Sequence, residues 1–167
     1  MKGIPLTTPA KRLFVRSTRS ASAELDLASE ANFFSELMEW PVSIDVPHKR
    51  LVVRTGDVLD ALLLPRALAE PVALELSSSL MAGPVSRDES KGWWTFITEP
   101  CQRPKPELPD ELRAKRVHAV PPRGQLVIPP VTESASWWQP PQPGRLLPPW
   151  SAVVAIARRV IDRGHSS

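Results

Sequence analysis

The chain has 167 residues, of which 42% are hydrophobic and 23% are charged, and its formal net charge is +3. These values are typical of one globular domain and exclude a wholly disordered chain. The single cysteine, Cys101, excludes an intrachain disulfide. The three histidines are far apart in the sequence, so the close ligand pairs of a zinc site are missing, and we predict no metal and no other cofactor.

The apolar runs, such as the one at positions 61–65, are much shorter than the roughly 18 residues that a membrane-spanning helix requires. The N-terminus also lacks the apolar segment of about 7–15 residues found in secretory signals. We therefore expect a cytoplasmic protein with no membrane partner. An organellar transit peptide is the alternative interpretation of the basic, serine-rich N-terminus.

The first 23 residues are predicted to be a flexible arm, because they contain basic but no acidic side chains and follow neither a helical nor a strand period. Their few apolar residues cannot offset the entropy cost of ordering the segment, although positions 13–15 form one apolar cluster. Residues 24–167 are then a single domain. The arm residues expected to contact phosphate are Lys11, Arg12, Arg16 and Arg19. Ordinary solvated charge is the alternative.

Twenty prolines divide the chain, and each is expected to end a helix or a central strand because proline lacks an amide donor. Apolar spacing or a proline in the first turn predicts helices at 29–40, 65–70, 110–115 and 150–163. Pro71 is expected to kink the second helix or restart it. Aromatic and β-branched residues predict strands at 42–46, 51–55, 93–98, 117–120, 125–128 and 136–138. Positions 58–64 fit a strand or a helix.

Two hairpins are predicted from these strands, one joining 42–46 to 51–55 and the other joining 117–120 to 125–128. In the second, Gly124 is expected to supply the left-handed turn conformation. Residues 77–88 are predicted to be a loop, because Gly83 and Pro84 interrupt them. The fold class is therefore α+β: a single domain with a mixed or antiparallel sheet, flanking helices and proline-rich loops.

Catalytic motifs are missing from the sequence, including phosphate-binding glycine loops, the nucleophile elbow and the zinc-protease helix. Asp57 and Asp60 have a spacing that places two carboxylates on one helix face, but a turn cap is the simpler role for Asp57. Asp45 has proline rather than an acidic residue two positions later. His118 lies in an apolar strand without a paired nucleophile. No complete catalytic constellation is found, which makes an enzyme the less favoured class.

Binding residues can be proposed from basic clusters and tryptophans. A second basic cluster, expected to bind nucleic acid, contains Arg113, Lys115 and Arg116. Two of the tryptophan groups are adjacent pairs, at 93–94 and 137–138. Because neighbouring strand residues face opposite ways, one ring of each pair is expected in the core and the other on the surface. The residues expected to contact a partner protein are Trp137, Trp138 and Arg145.

Several short segments occur in an order that is shared with known proteins. They are RTGDVLDA at 54–61, GPV at 83–85, WTF at 94–96, QLVIPP at 125–130, Trp138 with the prolines at 140–141, and LPP at 147–149. In this order the chain resembles a group of actinobacterial proteins described as bifunctional primase/polymerase N-terminal-like. The resemblance covers about two thirds of the chain and consists of short, degenerate pieces.

The resemblance implies an α+β domain related to the archaeo-eukaryotic primase fold, whose active members bind metal through paired acidic residues for nucleotidyl transfer. This chain departs from that pattern, because positions 44–47 read IDVP and no clear catalytic histidine follows. The resemblance without the acidic pair implies a non-catalytic relative. Such a protein would act by binding nucleic acid in the DNA replication or gene regulation of a plasmid or integrative element. The alternative is a protein-interaction or regulatory module that uses proline-rich loops and exposed tryptophans.

Overall fold

The computed structural model describes residues 22–24 and 26–166. Most of the predicted arm, with Lys11, Arg12, Arg16 and Arg19, lies outside the described residues, whereas positions 22–24 are helical. The described chain forms an α+β domain of helices and two antiparallel sheets, which confirms the predicted fold class. No helix within the described ranges has the length and apolar character needed to cross a membrane.

Helices and short strands are interspersed along the described chain. The helices are α1 (residues 26–37, of which Phe33–Leu37 form a π-helical turn), α2 (Arg66–Ser78), α3 (Asp110–Ala114) and α4 (Trp150–His165). The strands are β1 (Val42–Asp45), β2 (Arg50–Arg54), β3 (Asp60–Pro65), β4 (Val85–Asp88), β5 (Trp93–Thr98), β6 (His118–Ala119), β7 (Gln125–Ile128) and β8 (Trp137–Gln139). A 3₁₀ turn, Ser134–Ser136, precedes β8.

Helix α2 continues through Pro71, so the expected restart of the helix at this residue is wrong. Proline in a helix interior removes one backbone hydrogen bond and strains the preceding turn. The buried apolar face of the helix, which includes Val72 and Leu76, packs against the larger sheet and stabilises the helix in spite of this cost. Pro65 occupies the cap position in extended conformation, so the helix begins at Arg66.

The strands form two sheets where one was expected. The smaller sheet has the order β1-β2-β7 and the larger has the order β6-β3-β5-β4-β8, and every pairing is antiparallel. The first predicted hairpin, β1 with β2, is confirmed. The ambiguous segment at 58–64 is mainly the strand β3, which lies between β6 and β5.

The second predicted hairpin is wrong, because β6 pairs with β3 in the larger sheet and β7 pairs with β2 in the smaller one. The turn between them carries the chain from one sheet to the other. Arg123, with φ 61°, takes the left-handed conformation that was expected of Gly124. Gly124 is needed for space instead, since a Cβ there would lie 2.8 Å from the carbonyl oxygen of Pro121.

The predicted loop at 77–88 is also wrong at both ends, because residues 77–78 belong to α2 and Val85–Asp88 forms β4. The segment pairs with β5 on one side and β8 on the other, so its strand conformation is stabilised by hydrogen bonds from both neighbours. Only the first two residues of β4 are buried. Because Arg87 and Asp88 are polar, the segment lacks the alternation of apolar and polar residues that identifies most strands.

The larger sheet lies between two layers. Leu62, Trp94 and Phe96 on one face pack against α2 and α4 in the first hydrophobic core. Ala61 and Ile97 on the other face join the second core, which also contains buried residues of the smaller sheet and of α1. The smaller sheet covers only part of this second face. The uncovered part forms one wall of the cleft described below.

A buried ion pair fixes the proline-rich loop 100–109 to the sheets. The Lys105 ammonium donates to Asp60 Oδ1 at 3.1 Å and to the carbonyl oxygen of Val120 at 2.6 Å. The amide of Cys101 donates to the other Asp60 oxygen at 2.8 Å. The two side chains are only 12% and 4% exposed, so this is a desolvated and hydrogen-bonded contact at the start of β3.

Candidate functional site

One row of side chains crosses the whole second face of the larger sheet. Residues directly opposite each other in antiparallel strands point to the same face. The register therefore aligns His118 of β6, Leu63 of β3, Thr95 of β5, Ser86 of β4 and Trp137 of β8. The middle of this row, Leu63, Thr95 and Ser86, is aliphatic or hydroxylic and contains no carboxylate.

A cleft of about 770 Å³ opens over the uncovered part of this face. Its first wall is the larger sheet, with Leu63, Thr95 and Trp93. The second wall is the adjoining end of the smaller sheet with the loop after β7, and it contributes apolar residues that include Ile128 and Pro129. This volume falls within the range of ligand-binding clefts, about 300–1,000 Å³, and the walls suit a flat, uncharged group.

Trp93 is the main aromatic residue of the cleft. It alternates with the buried Trp94, which is 2% exposed in the first core, so the expectation that one ring of this pair is in the core is confirmed. The Trp93 side chain is half-buried. Its ring lies 5.4 Å from the ring of the exposed His118, at an interplanar angle of 47°. Trp93 therefore forms the boundary of the cleft toward His118 and β6.

Charged residues surround the apolar walls. Lys49, Arg50 and Lys91 contribute positive charge, while Asp88, Glu89 and Glu133 contribute negative charge. Most of the acidic groups have partners: Asp88 lies 3.8 Å from Lys91, and Glu89 lies 3.3 Å from Arg66. A hydrogen bond from Ser90 is the main cause that lowers the pKa of Asp88, with a further hydrogen bond from the Lys91 amide.

Lys49 differs from the other cations of the cleft because it has no ion-pair partner within the part of the chain that the structure describes. It is exposed and sits in the turn between β1 and β2, with φ 50°. Arg50 is held by Asp45, whose Oδ2 accepts from its Nε at 2.8 Å. Hydrogen bonding by His48 is the largest cause that lowers the pKa of Asp45.

A second groove, of about 470 Å³, lies on the other side of His118. It is bounded by the loop 105–108, by Arg113 and by residues 117–119. Of the predicted basic cluster, Arg113 lines this groove and pairs with Asp110, whereas Lys115 and Arg116 are exposed at the end of α3, directly before β6. The contact with Asp110 raises the pKa of Arg113.

The residues expected to contact a partner protein lie in different environments. Trp137 is 3% exposed and donates from Nε1 to the carbonyl oxygen of Pro130 at 3.0 Å, so it is the core ring of its pair and offers almost no surface to a partner. Trp138 is half-buried, with its ring 4.9 Å from that of Trp94. Arg145 is exposed and hydrogen-bonds to Gln142 at 3.2 Å, away from the cleft.

Trp138 and the 3₁₀ turn are linked by Arg87. This residue is opposite Trp94 in the register, and its guanidinium carbon lies 6.0 Å from the centre of the Trp138 ring. Its Nη2 donates to the carbonyl oxygen of Ala135 at 3.0 Å. Arg87 therefore holds the 3₁₀ turn against β4 and helps to position one end of the cleft.

The three carboxylates considered for metal chemistry have different basic partners. Asp45 pairs with Arg50, Asp57 lies 3.6 Å from Arg103, and Asp60 is buried with Lys105. Within residues 22–24 and 26–166, no group of three or more His, Cys, Asp or Glu side chains is placed to hold a metal ion. Sequence spacing could not reveal the partners of Asp57 and Asp60, because Arg103 and Lys105 belong to a loop more than 40 residues later in the chain.

Comparison with known proteins gives no relative: no family model matches the chain, and no curated protein or solved structure is similar to it. The resemblance to primase/polymerase N-terminal-like proteins consequently depends on the short sequence segments alone.

Proposed function

We propose that this protein binds single-stranded nucleic acid in the cleft over the larger sheet, as a primase-polymerase-like protein of DNA replication or gene regulation. The observation that supports this most is the half-buried Trp93, which forms part of an apolar cleft next to an exposed histidine. Every nucleobase has an aromatic face that can stack on such a ring. A base that is already unpaired can reach it without the cost of opening a duplex.

The charged rim supports the same proposal. The apolar walls suit a base, and Lys49 and Lys91 line the rim of the cleft, where they can contact the phosphates on either side of it. The exposed fraction of the Lys91 side chain is 77%, so a phosphate can reach its ammonium without a rearrangement of the strand. The basic residues of the arm would add phosphate contacts that do not depend on sequence.

We propose binding and not catalysis because the row of side chains on the cleft face consists of Leu63, Thr95 and Ser86 at its centre and has no carboxylate there. Metal-dependent nucleotidyl transfer uses carboxylates that hold two cations close together. Asp45, Asp57 and Asp60 are each paired with a separate basic side chain. Their arrangement favours structural roles for all three.

Fluorescence anisotropy with a labelled oligothymidylate tests the proposal. The full chain should bind the single strand more tightly than a duplex, and the affinity should fall between about 50 and 200 mM salt because phosphate contacts release counterions. Trp93→Leu should weaken binding by about 5- to 150-fold, equivalent to one stacked base at about 1–3 kcal/mol. Trp93→Phe keeps an aromatic ring and should retain most of the affinity.

Two further variants distinguish a phosphate contact at the cleft from the effect of the protein's overall charge. Lys91→Gln should lower the salt slope by about 0.7, the value for one lost phosphate contact on a single strand. Arg159→Gln is the matched control, because it removes one positive charge from α4, whose residues pack on the opposite face of the sheet. Deleting residues 1–21 should reduce both affinity and salt slope. Failure to bind any single strand at low salt, or equal affinity of Trp93→Leu and the unmodified chain, contradicts the proposal.

A further inference from the structure

The groove beside β6 has no role in the binding of a base at Trp93, yet it adjoins that site. His118 lines the groove, and its ring also lies 5.4 Å from the ring of Trp93. A ligand that leaves the cleft past Trp93 therefore meets His118 and then the groove. The surfaces on the two sides of this aromatic pair form one path across the end of the larger sheet.

Arg113 is the cation of this groove that is available to a ligand. Lys105 also lines it, but its ammonium is already bound to Asp60 and to the Val120 carbonyl. Arg113 is 55% exposed, and its partner Asp110 is 88% exposed. Exposed ion pairs of this kind stabilise a protein very little, so the guanidinium can exchange one anion for another.

The charges near Arg113 have opposite effects on an approaching anion. Glu107 lines the groove and Asp110 pairs with Arg113, and both would repel a phosphate. Lys115 and Arg116 are exposed immediately before β6, and neither has an ion-pair partner among the described residues. Removal of the Asp110 charge should therefore strengthen anion binding at Arg113.

We propose that the groove beside β6 is a second subsite, in which a backbone phosphate of the same single strand replaces Asp110 as the partner of Arg113. This inference rests on the proposed function, because the strand is first held by a base at Trp93. A guanidinium binds phosphate through two parallel hydrogen bonds, a stronger contact than its exposed pair with one carboxylate. The ligand is thus a strand long enough to reach from Trp93 past His118 to Arg113.

The pair itself supplies two matched variants with opposite expected effects. Arg113→Gln removes the phosphate contact and should weaken the binding of a strand of about 12 nucleotides by roughly tenfold, the loss of one charged hydrogen-bonded contact. Asp110→Asn removes the competing carboxylate while conserving the side-chain shape, and it should tighten binding of the same strand. Thermal unfolding of both variants shows whether the domain remains folded.

Strand length distinguishes this subsite from the cleft. A strand of about 4 nucleotides can occupy the cleft alone, so neither variant should change its affinity, whereas Trp93→Leu should weaken both strands. The inference is overturned if the long strand binds both variants as it binds the unmodified chain, or if the short strand responds equally to them. In the first case a retained effect of Trp93→Leu would leave the proposed function standing. Absence of binding by either strand would overturn both.

Discussion

Replacement of Lys105 by methionine should strongly destabilise the domain. The substitution removes the donor to Asp60 Oδ1 and to the Val120 carbonyl, and it leaves a carboxylate that is 4% exposed with the Cys101 amide as its remaining partner. Loss of one member of a buried ion pair costs about 3–5 kcal/mol, because the other charge stays buried without compensation. For a chain of this length, that cost corresponds to a decrease in Tm of about 6–20 °C.

Urea unfolding followed by tryptophan fluorescence measures this cost, and thermal unfolding followed by circular dichroism measures the change in Tm. In the double variant Asp60→Asn with Lys105→Met no charge is left buried, so it should recover more than half of the lost free energy of unfolding. Arg113→Gln, which breaks an exposed pair, is the control and should cost less than about 1 kcal/mol. A loss below about 1 kcal/mol for Lys105→Met would refute the role given to the pair in fixing loop 100–109.

Three other substitutions or reactions test separate parts of the structure. Burial raises the pKa of the Cys101 thiol, so its alkylation should be slower in the folded chain than in urea at the same pH, and should accelerate as pH rises. Pro71→Ala restores an amide donor inside α2 and should raise the free energy of unfolding by about 2 kcal/mol. Gly124→Ala places a Cβ 2.8 Å from the carbonyl oxygen of Pro121 and should lower Tm clearly.

Local pattern predicted the elements whose own residues define them. Residues 93–98 combine aromatic and β-branched side chains, and they form β5 with the bounds expected. The apolar spacing of residues 150–163 likewise predicted α4, which extends two residues further to His165. In both cases the buried face can be read from the residues of the element alone.

Strand pairing between distant segments was harder to predict from the sequence. The segments before and after Gly124 have the composition of a hairpin, but they belong to different sheets because β3 and β2 provide partners for them. Such competition depends on residues more than 50 positions earlier in the chain. The strand β4 was missed for a related reason: its conformation depends on two neighbours and not on its own alternation.

The candidate site was predicted only in part. Alternation within a strand correctly indicated that Trp93 and Trp94 have different environments. The same rule does not specify which ring of the pair 137–138 is buried, and Trp137 is the buried one. The proximity of Trp93 to His118 arises because β5 and β6 both flank β3 in the sheet. Nothing in the separation of these residues along the chain indicates that contact.

Photochemical cross-linking of a single strand that contains 5-iodouracil, followed by mass spectrometry of the digested protein, tests the central claim most directly. The reagent joins to aromatic rings that stack on the base, so the modified residue reports where the base lies. We expect the cross-link at Trp93, with loss of the product in Trp93→Leu and competition by unlabelled single strand but not by duplex. Cross-links confined to residues outside the cleft, with none at Trp93, would contradict the claim that this cleft binds single-stranded nucleic acid.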